Sequence, residues 1–277
     1  MTIAVAIRTG TAVVFASDSK VTTAAPSGVD GEGKPVFQHQ SYDNAFKIVH
    51  DRTQTAMAMF VGTVNFGPVD AMSLYSRMEL GLDASPLIQD AKLLDLATHI
   101  QARRESVWGG LGLEKTRWPG PLVLLAAPPS QAVAPRLWHL DFSKGDPVIQ
   151  ELFLTGPGVF LEGSTQQTLS LLYGFDTRLR MSLQHSLSAS APGVEEAFSK
   201  FSPDSPINKI NFWAMPIQDA IDLAVFLAQV QIQMERFLPG PPTCGGPIDV
   251  MVMEMSPEPR IRSFPGKQLH HPMGPRP

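Results

Sequence analysis

The sequence predicts a layered α+β domain in which helices cover two stacked sheets from the outside. Three observations lead there. Residues 3–7 (IAVAI) and 12–16 (AVVFA) are uninterrupted apolar runs rich in β-branched residues, so both faces of each strand require cover. Strand-like groups recur around 46–61, 121–154 and 247–264, with helical periodicity between them. No internal repeat and no linker interrupts residues 1–265, which read as one domain with insertions near 22–41 and 174–213.

Arg8-Thr9-Gly10-Thr11 separates the first two runs and reads as a hairpin turn. A two-residue Thr9-Gly10 turn would set Arg8 opposite Thr11 and Thr2 opposite Ser17. Residues 22–41 are rich in Gly, Pro and small polar residues and read as an exposed loop. Strands follow at Phe46–Val49 and Thr55–Val61, then helices at Pro68–Glu79 and Leu87–Arg104, the latter with Leu93, Leu94, Ala97 and Ile100 at helical spacing. A second strand group covers Pro121–Ala127, Arg136–Phe142 and Ile149–Leu154. Phe160–Leu172 reads as helical, 174–213 as short pieces broken by Pro192, Pro203 and Pro206, and Met215–Phe237 as the clearest helix, with Pro216 in its first turn. Strands Pro247–Glu254 and Arg260–Phe264 close the fold, and 266–277 reads as a disordered tail.

Composition narrows the function. A net charge of −4 without a dense Lys/Arg run argues against a nucleic-acid partner. The longest apolar runs fall short of the ~20 residues that cross a bilayer, and the N-terminus has no basic region ahead of its apolar stretch, so a cytoplasmic protein is expected. The single cysteine, Cys244, excludes an internal disulfide. The seven histidines (His39, His50, His99, His139, His185, His270, His271) show no metal-binding spacing, and Gly156-Pro157-Gly158 lacks the Lys and Ser/Thr of a phosphate loop. Neither a metal nor another cofactor is expected.

Chemistry concentrates near the first residues. Removal of Met1, which is favoured before a small residue, would leave Thr2 with a hydroxyl nucleophile and an α-amine of pKa about 7.7–8.0 on one residue. That amine can serve as its own general base. The hairpin returns Asp18 to the same strand end, and Lys47 follows on the next strand after the loop. A Lys held by Asp18 would favour the attacking alkoxide.

These residues resemble a known family. TIAVAIRTGTAVVFASDSKVTT followed by FKIVHDRTQTAMAMFVGTVNFG resembles the opening of proteasome β-type subunits, and of the bacterial proteasome-like peptidase that partners an ATP-driven unfoldase, both N-terminal-nucleophile (Ntn) hydrolases. The match places Thr2 as nucleophile, with Asp18 and Lys47 supporting it. Thr22 and the turn at Gly62 would bind substrate and oxyanion. The resemblance implies a four-layer α-β-β-α sandwich, self-association into a ring, a peptide or unfolded-protein substrate and an ATP-dependent unfoldase as a possible partner. Two departures stand out: Pro157 falls where the family has a Ser, and Pro241 where it has an Asp, with Cys244 at a further Ser position.

The resemblance thus points to a threonine-type peptidase. Three other readings compete: an amidase acting on a small molecule, a non-catalytic ring or scaffold subunit, and Cys244 as nucleophile with His99 or His139 as base. Taken singly, Asp18 is an ordinary strand-end residue, Lys47 an ordinary solvated cation and Cys244 an ordinary buried thiol.

Overall fold

The computed structural model describes residues 2–29, 31, 35–62, 65–66, 69–70, 86–109, 114–115, 120–128, 135–143, 145–175, 177–186, 193, 196, 205–255 and 258–264. It is a mixed α/β fold built on antiparallel sheets. In chain order the strands are β1 (Ile3–Arg8), β2 (Ala12–Asp18), β3 (Val21–Val29), β4 (Pro35–Tyr42), β5 (Ile48–His50), β6 (Met57–Gly62), β7 (Asn65–Phe66) and β8 (Val69–Asp70). Then come helix α1 (Pro86–Trp108), β9 (Pro121–Ala127), β10 (Arg136–Asp141), β11 (Val148–Leu152) and β12 (Gly158–Gly163). Helices α2 (Gln166–Tyr173), α3 (Thr177–Ser186) and α4 (Ile217–Glu235) precede β13 (Ile248–Glu254) and β14 (Arg260–Phe264).

Two five-stranded sheets carry the core, one ordered β12-β1-β2-β13-β14 and the other β11-β10-β9-β6-β5. The absence of polar alternation in β1 and β2 has the expected cause. Ile3, Val5 and Ile7 pack with Ala220, Ala224, Leu227 and Ala228 of α4, while Ala4 and Ala6 on the opposite face pack with Met57, Met59 and Leu124 of the second sheet. That second sheet turns its other face, Phe60, Val123, Leu125 and Trp138, to Leu93, Leu96, Ala97 and Ile100 of α1. Each fully buried Ile or Val here contributes roughly 1.5–3 kcal/mol. No described helix is long and apolar enough to cross a membrane.

Several sequence expectations change. The β1–β2 register pairs Arg8 with Val13 and Ala4 with Ser17, so the turn is longer than the two residues expected and Thr2 does not face Ser17. Thr9 is the reason: its hydroxyl accepts the Thr11 and Ala12 amides and its amide donates to the Ala12 carbonyl, absorbing two more residues into the turn. The slip of two preserves which face each residue occupies.

The expected loop at 22–41 is largely a two-stranded antiparallel hairpin, β3 with β4, whose register shifts between Pro26 and Gly28. A bulge of this kind accommodates Pro and Gly in a strand, which is why composition alone suggested a loop. Phe160–Leu172 is not one helix: β12 takes Gly158–Gly163 as the edge partner of β1, and α2 begins only at Gln166. The helix expected at Pro68–Glu79 starts instead as the short strand β8 against β7, and its remainder lies outside the described residues, as does the tail from 266.

Candidate active site

Thr2 is buried immediately before β1, with 5% of its surface exposed. Its carbonyl accepts the Ser164 amide at 2.7 Å. Gly163, with φ +84°, brings its backbone so close that a Cβ there would overlap the Thr2 carbonyl oxygen. Only glycine meets both the left-handed backbone and this approach.

Asp18 ends β2 and is fully buried. One carboxylate oxygen accepts the Lys47 ammonium at 2.7 Å and the Ile3 amide at 3.1 Å; the other accepts the amides of Gly245 at 3.0 Å and Lys20 at 3.3 Å. Lys47 Nζ and the Ile3 nitrogen share one acceptor, so they lie no more than about 6 Å apart. Burial pushes the Asp18 carboxyl above its usual range, against the opposing pull of Lys47 and of the Gly245 and Ile3 amides. Lys47 precedes β5, its side chain 10% exposed.

Three of the five expected site residues therefore come together: Thr2, Asp18 and Lys47. Gly62 ends β6 with φ +83°, and its neighbour Val61 stands 3.2 Å from the position a Gly163 Cβ would take, so this turn borders the same group. Thr22 stands apart on β3, exposed, its hydroxyl 3.0 Å from that of Ser41.

The sequence reading missed a second hydrogen-bonded group. Ser164 Oγ lies 2.9 Å from Thr243 Oγ1, which donates to the Glu235 carboxylate at 2.9 Å. Glu235, in the last turn of α4, also accepts the amides of Thr243 at 2.6 Å and Cys244 at 2.9 Å, and Gln231 Nε2 at 3.0 Å. Burial works to raise the Glu235 pKa, but these donors prevail and hold it below the usual carboxylate value. Pro157 sits in the turn ahead of β12, well before the Gly163-Ser164 that meets Thr2, and Pro241 lines a cavity of about 240 Å³ together with Ser164, Glu235 and Thr243. The signal was a Gly-Ser-Thr run directly before the helical QQTLSLL, a helix-start pattern hidden by reading 160–172 as a single helix.

Cys244 is buried, and desolvation, aided by the charges of Asp18 and Glu235, pushes its thiol up to about 12. A thiol so held is a poor nucleophile. Of its expected bases, His99 is exposed on α1 against Asp95, and His139 pairs with Glu162. No group of metal-ligating side chains occurs among the described residues.

No protein-family profile matches the chain, and no curated protein does. Among solved structures the fold is shared with Anbu proteins. One is an Anbu (Gly-1) mutant from Hyphomicrobium sp. strain MC1, 15% identical, with a TM-score of 0.50 over 96% of this chain and 88% of that one. Another is Anbu (ancestral beta-subunit) from Yersinia bercovieri, 15% identical, with a TM-score of 0.50 over 97% of this chain and 88% of that one. This likeness corrects the family read from the sequence. The matching structures are Anbu proteins rather than the bacterial proteasome homologue, and the described residues combine fourteen antiparallel strands with four α-helices, so the assignment to the Ntn hydrolases and to the bacterial proteasome homologue is withdrawn.

Proposed function

We propose that this chain is a threonine-type hydrolase that cleaves peptide bonds with Thr2 as nucleophile, after removal of Met1. One observation carries the reading: the buried 2.7 Å Asp18–Lys47 ion pair shares its acceptor oxygen with the backbone amide following Thr2. A carboxylate holding both a cation and the nucleophile's own peptide sets the relative position of ammonium and hydroxyl. The Thr2 hydroxyl proton passes to the Thr2 amine as Oγ bonds to the substrate carbonyl carbon. The C–N bond then breaks, the leaving amine takes that proton, and an ester to Thr2 remains. Water deprotonated by the same amine hydrolyses the ester. Lys47 stabilises the attacking oxygen, and backbone donors at the Gly62 turn face the developing oxyanion.

The Ser164–Thr243–Glu235 chain meets the site from the other side through the Ser164 amide on Thr2 and holds the Thr2 backbone in register. We read residues 1–265 as one domain and its layers as a four-layer α-β-β-α sandwich. Three separate apolar clusters support this: α1 with the second sheet, sheet with sheet, and the first sheet with α4. Self-association is part of the proposal. It is supported by the exposed Phe226, Met234 and Phe237 on and just after α4 and by the beta-subunit name of the Yersinia bercovieri structure.

The test is turnover of a panel of fluorogenic peptide amides by wild type, Thr2→Ala and Asp18→Asn. Hydrolysis by wild type alone supports the proposal. Turnover that survives Thr2→Ala would place the nucleophile elsewhere.

A further inference from the structure

Outside the Asp18–Lys47 pair, a half-buried titratable couple bridges the two sheets beside Thr2. His139 lies on β10, flanked in its sheet by Leu124 of β9 and Gln150 of β11. Its ring packs on Phe160 of β12 with centroids 5.2 Å apart, and its Nε2 lies 3.4 Å from Glu162 Oε2, the side chains 14% and 23% exposed. Nε2 makes no hydrogen bond. The other Glu162 oxygen accepts the Gly163 amide at 3.1 Å. Gly163 is the residue pressed onto the Thr2 carbonyl, and the next amide, of Ser164, donates to that carbonyl at 2.7 Å. A continuous path therefore runs from an imidazole on one sheet to the Thr2 backbone on the other.

We propose that His139 is a positioning residue for the Thr2 site, acting through Glu162 on the Gly163–Ser164 turn. Among the described residues that pair with or stack on His139, only Glu162 is charged: Leu124, Gln150 and Phe160 are not. When Nε2 carries a proton on a charged ring, it donates to Oε2 and draws in the carboxylate, since charge-assisted N–H···O bonds settle near 2.7–2.9 Å. Glu162 then bridges the ring and the Gly163 amide, and the turn is clamped to both sheets. A neutral ring that keeps its proton on Nδ1, the form that matches an Nε2 without a hydrogen bond, sets two lone pairs facing one another, and Gly163 alone holds the carboxylate. The state of one ring thus sets how firmly the Thr2 carbonyl is held. The consequence for catalysis rests on the Thr2 proposal, whereas the response of the turn does not.

The experiment is a pH titration by amide NMR of the ¹⁵N-labelled full chain, following Gly163, Ser164 and the His139 ring protons together. In wild type the Gly163 and Ser164 amides shift with the same midpoint as the His139 ring. In His139→Phe, which keeps a ring on Phe160 but offers no donor, that shift is lost. His139→Gln restores a neutral donor to Glu162, so its two amides hold near the low-pH wild-type position at every pH. If His139→Phe fails to fold, the Gln variant alone decides, because its amides must be pH-independent. Amides that stay flat while the wild-type ring titrates, or that still titrate in either variant, would overturn the proposal. Thr2→Ala should show the wild-type titration, so a failure of the Thr2 chemistry leaves this readout intact.

Discussion

Gly163→Ala tests the geometry around Thr2 more sharply than removal of any charged group. Gly163 and Gly174 have nearly the same φ, +84° and +81°, but they differ in surroundings. A Cβ at Gly174 meets nothing within 4 Å, whereas one at Gly163 overlaps the Thr2 carbonyl oxygen, with the carbonyl carbon at 3.0 Å and Val61 Cγ1 at 3.2 Å. Gly174→Ala therefore reports the left-handed backbone cost alone, about 1–2 kcal/mol. Gly163→Ala adds displacement of the Thr2 carbonyl toward an ordinary C···O contact of about 3.3 Å. That movement of about an ångström breaks the Ser164–Thr2 hydrogen bond, worth about 1 kcal/mol, and loosens the packing around it. The expected stability loss is about 3 kcal/mol for Gly163→Ala, read as a fall in denaturant midpoint at constant m-value. Thr2 acylation should slow about 100-fold, the order of effect that an ångström of misplacement carries. Gly174→Ala should acylate at the wild-type rate. If Gly163→Ala matches Gly174→Ala in midpoint and acylates normally, the turn does not position Thr2.

Asp18→Asn leaves the Lys47 ammonium buried without its carboxylate, and it should cost about 3–5 kcal/mol in chemical denaturation and abolish Thr2 acylation. The raised Asp18 pKa has two consequences of opposite sign. Between the ordinary 3.8 and its higher native value, the folded state binds a proton that the unfolded state releases, so this group's contribution to stability falls as pH rises through that window. Acylation should instead appear only as Asp18 ionises, on an acid limb lying above 3.8; a limb at or below that value would show that the ionised carboxylate is not required. Glu235→Ala frees the Thr243 and Cys244 amides and the Thr243 hydroxyl, and should lower the melting temperature and expose Cys244 to alkylation. In wild type, with its thiol pushed up to about 12, Cys244 should resist iodoacetamide at neutral pH until the protein is denatured; rapid alkylation of the folded chain would contradict the burial assigned to it.

Much of the fold could be read from periodicity because its strands are buried on both faces. β1, β2, β6 and β9 are continuous apolar runs, and such runs admit few alternatives once Gly and Pro bound them. That Thr2, Asp18 and Lys47 would come together was legible for a related reason: they lie at the open end of the first hairpin and just before the edge strand β5, and the two-residue error in the turn did not change which face Asp18 occupies. Three features were not legible. The β3–β4 hairpin is held by backbone pairing across a Gly/Pro-rich segment, where side-chain pattern carries little signal. β12 is an edge strand running almost directly into α2, so its last residue, Gly163, and Ser164 after it were absorbed into the helix. Glu235 reaches Thr243 from the end of a helix eight residues earlier, a contact fixed by tertiary packing rather than by any local motif.

The central claim is that Thr2 carries a free amine and a reactive hydroxyl on one residue. Intact mass combined with peptide mapping, after treatment with a peptide epoxyketone, tests it most directly, because that reagent is captured by an amine and a hydroxyl together. The account predicts a chain lacking Met1, one adduct per chain located on Thr2, and no adduct on Thr2→Ala. A chain that retains Met1, or equal labelling of wild type and Thr2→Ala, would contradict it.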